Sequence, residues 1–161
     1  MKLTTLAAPL AAAADGLWLP CGPGWGDIEL RVRPYTEGYQ TLLSRAQAEA
    51  VRAARADGRL KPRESFEDLP LDARLALARD LLLKHLVADI RKSEDDDGKA
   101  TTVETFRAHA MDLDNWGPGL ADKAFELVSE VTTDRDALRK AAGGNSGRSS
   151  GSGLVPAKPT Q

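Results

Sequence analysis

Leu71, Leu75, Ala78, Leu81, Leu82, His85, Leu86 and Ile90 recur at the spacing of one helical face. No other stretch of the chain is as long and as consistently apolar. It therefore predicts a helix from about Asp68–Pro70 to Ile90 that forms the centre of the core. His85 sits on that stripe, where a packed, hydrogen-bonded imidazole is the plain expectation. Other residues must pack around this helix, and aromatic residues are scarce at 5% of the 161-residue chain. The core must therefore be built from Leu, Val and Ala, and the Ala-, Leu- and Arg-rich runs favour helix.

The helical pattern repeats on either side. Between Thr36 and Asp57, Tyr39, Leu42, Leu43, Ala46, Ala50 and Ala53 mark one face, with Thr36 as N-cap and Gly58 as the stop. Residues 59–67 read as a charged connection. A short helix is expected from Thr101 to Met111, with Thr101 and Glu104 at capping-box spacing. A last helix is expected from about Pro118 to Lys140, with Leu120, Ala124, Leu127, Val128, Val131 and Leu138 inward and a kink at Thr132–Asp134.

Residues 16–33 break the pattern. Ile28, Leu30 and Val32 alternate with Glu29, Arg31 and Arg33, the period of a half-buried strand. Leu17, Trp18 and Leu19 make its shorter partner across a Pro/Gly-rich turn. A two-stranded ribbon is unstable alone and has to dock on helices. The fold class is thus mainly α: a small N-terminal β-hairpin on a bundle of about four helices. Residues 1–142 form this domain, and the Gly/Ser-rich residues 143–161 form a flexible tail.

Several function classes lack support. The net charge of −2 argues against general nucleic-acid or anionic-membrane binding, and no run approaches the ~20 apolar residues of a membrane span. The Ala-rich start, interrupted by Pro9, reads as a structural segment and not as a secretory signal. Cys21 is the only cysteine, so no internal disulfide forms and a reducing, cytoplasmic setting is expected. As a nucleophile, Cys21 has only His85 and His109 to serve as base, and both fall in helical patterns. Neither histidine has zinc spacing, the glycines make no phosphate cradle, and no cofactor is expected.

One segment could hold a metal. Over the twelve residues Ser93–Glu104, Asp95, Asp97, Gly98 and Glu104 fall at positions three, five, six and twelve of an EF-hand-like calcium loop. Ser93 stands where the first aspartate belongs. The plainer reading is an acidic interhelical turn whose Glu104 caps the next helix.

The order of features resembles one known family. An Ala-rich start leads to Ala14-Asp15-Gly16-Leu17-Trp18-Leu19-Pro20. A strand then ends in Arg33-Pro34-Tyr35, and a helix follows through Tyr39-Gln40-Thr41-Leu42-Leu43. Next comes a Leu-rich segment with Leu86-Val87-Ala88-Asp89-Ile90, an acidic Asp-Gly-Lys turn, and Asn115-Trp116 before the last helix. Over about residues 10–140 this is similar to the tail assembly chaperones of long-tailed bacteriophages and gene transfer agents. The resemblance implies a non-enzymatic role in the host cytoplasm. Such a protein binds the tape measure protein, recruits tail tube subunits and is absent from the mature particle. It also leaves room for self-association and for a longer frameshifted form. A head–tail connector, a minor tail protein and a calcium module are the alternatives. Trp18, Trp25 and Trp116 are candidate partner anchors, with Trp18 and Trp116 expected in the core and Trp25 exposed in its turn.

Overall fold

Backbone pairing decides the architecture first. The structure is a computed structural model that describes residues 14–112, 114 and 117–144. Strand β1 (Leu17–Pro20) pairs antiparallel with β2 (Glu29–Val32), as the alternating pattern predicts. Leu30 and Val32 point inward and are fully buried, while Leu17, Leu19 and Ile28 pack against them. The turn between the strands closes through Cys21 N–H donating to the Ile28 carbonyl at 2.9 Å. Gly16 enters β1 at φ +103°, and a Cβ there would sit 3.2 Å from the Val32 carbonyl oxygen, so glycine is required.

The sheet has a third strand that the apolar stripe concealed. Helix α2 spans Leu71–His85 and stops, and Val87–Arg91 form β3, antiparallel to β2 in the order β1-β2-β3. The helix expected to reach Ile90 is therefore corrected. Val32 pairs with Val87 and Arg31 with Asp89, so one step on β2 matches two on β3 and Ala88 is the extra, bulged residue. The bulge restores the inward parity, so Val87 and Ile90 are both buried although three residues apart. That spacing is what imitates a helix in the sequence.

Helix α2 can end there because its last carbonyls find other donors. Arg107 donates to Leu83 O at 2.9 Å and Val87 O at 2.7 Å. Arg33 N–H donates to Leu86 O at 2.8 Å. Had the helix continued, Val87 N–H would have taken the Leu83 carbonyl.

The other helices are α1 (Glu37–Ala56), α3 (Val103–Met111) and α4 (Gly117–Gly144). Thr36 caps α1 as expected, accepting from Tyr39 N–H. Thr102 caps α3, not Thr101, accepting from Thr105 N–H at 3.2 Å. Helices α2 and α3 pack on β3 and α4 packs on β2. They enclose a core of Leu30, Val32, Leu82, Leu83, Phe106 and Val128 among others. Helix α4 runs unbroken through Thr132–Asp134, where a kink was expected. Thr132 and Thr133 donate their hydroxyls back to Val128 O and Ser129 O instead. Gly143 and Gly144 close α4, and the remainder of the expected tail lies outside the described residues.

Helix α1 keeps part of its expected face, with Leu43, Ala46 and Ala50 half-buried, and departs from the rest. Tyr39 and Ala54 are its buried residues, while Leu42 and Ala53 are exposed. The cause lies in the segment read as a charged connection. Leu60 and Leu69 are buried with Ala54 in a second small core, with Phe66, Ala50 and Val51 against it. Against this core the inward position at the C-terminal end of α1 is Ala54 and not Ala53. A 3-10 turn at Phe66–Asp68 belongs to it, held by Ser65 N–H donating to Asp68 at 2.7 Å.

Candidate functional site

Alternation decides where the tryptophans go. Leu17 and Leu19 take the inward face of β1, so Trp18 points to the sheet's outer face. Its expected core position is corrected. Trp18 lies under Arg91, whose guanidinium carbon is 4.4 Å from the ring centroid. Arg91 and Lys92 both pair with Glu29, so this outer face is a charged lattice around one indole. The hydrogen bonds from Lys92 and then Arg91 hold the Glu29 carboxyl below the usual glutamate range.

Trp25 also departs from expectation. The turn folds back, with Trp25 N–H donating to Gly22 O and Ile28 N–H to Trp25 O. The indole is thereby half-buried against the core. Trp116 lies outside the described residues. The structure therefore does not bring Trp18 and Trp25 together on one surface: one lies on the sheet's outer face and the other against the core.

The acidic segment is a hairpin-like turn and not a loop between two helices, because β3 precedes it. Glu94 bridges to Ala100, Asp95 N–H donates to Lys99 O, and Thr101 N–H donates to Ser93 O. Asp95 Oδ1 accepts the N–H groups of Asp97 and Lys99 at 3.1 and 2.9 Å. Glu104 stands exposed in the first turn of α3. The helix–loop–helix basis of the calcium reading is thus corrected. Among the described residues Asp95, Asp97 and Glu104 are not gathered into a metal-holding group.

No protein-family model, curated protein or solved structure matches this chain. The candidate surfaces therefore stand on their own geometry.

The first surface is a cleft of about 500 Å³ between the β1–β2 turn, the acidic turn, α3 and the start of α4. Cys21 and His109 both border it. Cys21 is only 2% exposed, and burial pushes its thiol up, with Lys123 opposing. That environment stabilises the neutral thiol and offers no activated nucleophile. His85 does not border the cleft; its backbone carbonyl accepts from Arg33.

The second surface is on α2. Leu71, Leu75, Ala78 and Leu82 share one stripe. Leu82 is fully buried, yet Leu71 is 60% and Leu75 53% exposed. The stripe that anchors the helix at its C-terminal half overhangs at its N-terminal half. Sequence reasoning assigned both leucines to the core, because periodicity reports a face and not where neighbours end. No described helix is long and apolar enough to cross a membrane.

Proposed function

We propose that this chain is a non-enzymatic assembly partner, a tail assembly chaperone that binds the helical tape measure protein and recruits tail tube subunits. The observation that carries the reading is the overhanging Leu71–Leu75 stripe on α2. Two leucines one turn apart on a rigid helix can receive the apolar face of a partner helix. A long helical scaffold protein exposes such faces before assembly. The family resemblance rests on the sequence order of hairpin, helices and acidic turn, and the burial of Cys21 speaks against that thiol as a nucleophile.

Co-expression with a tape measure protein from the same genome tests it. Co-purification of the two, lost on Leu71→Asp with Leu75→Asp, is the expected result. A chain that binds neither that protein nor the tail tube subunit is not this chaperone. Recovery of the chain in purified particles would favour a connector or minor tail protein instead.

A further inference from the structure

The cleft beside the acidic turn plays no part in the chaperone reading and shares no residue with the leucine stripe. Its floor is apolar, with the edges of Ile90 and Phe106 reaching it from the core and Trp25 against it. Its volume of about 500 Å³ suits a bound group, since such sites span roughly 300–1,000 Å³. Its rim carries an excess of negative charge. Glu94, Asp95 and Asp96 line one side as consecutive residues. Lys123, the basic residue at the cleft, is already paired with Glu126 at 2.7 Å. Asp95 is committed to its own turn. Glu94 and Asp96 are exposed, with no side-chain partner among the described residues.

We propose that this cleft docks a peptide segment of another protein, in which a bulky aromatic side chain is flanked by lysine or arginine. The ring enters the cleft against Trp25 and Phe106. The flanking cations meet Glu94 and Asp96, which carry unneutralised charge beside an apolar floor. Glu94 and Asp96 line one side of the cleft two residues apart, which suits cations spaced along a chain better than a compact head group. The selectivity comes from exposed charges, so it is modest and salt-sensitive.

The test titrates the full chain, labelled with nitrogen-15, with the probe acetyl-Lys-Phe-Lys-amide and, separately, with acetyl-Glu-Phe-Glu-amide. The expected result is saturable shifts at the Trp25 indole, Thr101, Thr105 and His109, with the basic probe binding about five-fold tighter. Glu94→Gln with Asp96→Asn should erase that preference at an unchanged unfolding midpoint, since both side chains are exposed. Trp25→Ala should weaken both probes. No saturable shift, equal binding of the two probes to the unaltered chain, or shifts away from the cleft would each overturn the proposal. None of these outcomes bears on whether the leucine stripe binds the tape measure protein.

Discussion

Three charged side chains join elements that are far apart in sequence. Arg107 is the first. Its two hydrogen bonds satisfy carbonyls at the point where α2 gives way to β3. Arg107→Met keeps the stem but strands both acceptors, so a loss of about 3 kcal/mol is expected, read as a lower denaturant midpoint. Arg107→Lys should recover only part, because an ammonium lacks the fork that reaches both carbonyls. Arg135 is the second. It is 9% exposed and donates to the Tyr35 carbonyl, while Thr132 accepts from Tyr35 N–H at 2.9 Å. The joint between β2 and α1 thus has both backbone groups of Tyr35 satisfied by α4. Tyr39 packs beside it, ring centroids 5.5 Å apart, with its phenol pushed up to about 12 by burial. Glu29 is the third, and its contribution depends on pH. Its folded-state pKa is lowered by Lys92 and Arg91, so its stabilisation is present above the ordinary glutamate range and fades as pH falls through the lowered value. The unaltered chain should melt above Glu29→Gln near pH 7, and the gap should narrow as pH falls below the ordinary glutamate range and close once the lowered value is passed.

Elements follow from the sequence where one period dominates and fail where two compete. The hairpin was legible because Leu30 and Val32 alternate with charged neighbours and turn residues bound them. Helix α4 was legible because its apolar positions keep helical spacing over many turns. Strand β3 was not, because the bulge at Ala88 puts Val87 and Ile90 at i, i+3, a spacing that belongs equally to a helix. The ladder with β2 and the long-range bonds of Arg107 and Arg33 separate the two readings, and a local pattern carries no trace of them. The inward role of Leu17 and Leu19 already required Trp18 to face outward, so that signal was present. The small core under α1 was hidden by its setting, since Leu60, Phe66 and Leu69 are scattered among charges. Its energetic role is testable. Leu69→Ala should cost about 2–3 kcal/mol and should speed amide exchange across the C-terminal half of α1 more than in the sheet. Uniform protection loss would mean that α1 is not held separately at that end.

At the scale of the molecule, stability and the proposed binding role make opposite demands on one stripe, and that opposition can be measured. Core residues on α2, such as Leu82, cannot be made polar without unfolding. Leu71 and Leu75 continue the same face but are mostly solvated, so they add little to the fold. Leu71 also occupies the first turn of α2, beside Asp72, where the helix dipole favours an acidic side chain. Leu71→Glu should therefore leave the isolated chain as stable as before or raise it by about 0.3–1 kcal/mol. If the stripe served only folding, such a gain would have no cost elsewhere. If it receives a partner helix, the same substitution places a charge in an apolar contact and weakens co-purification with the tape measure protein, while the melting temperature holds or rises. A parallel fall in both quantities would place Leu71 in the fold's own core and remove the stripe as a docking surface.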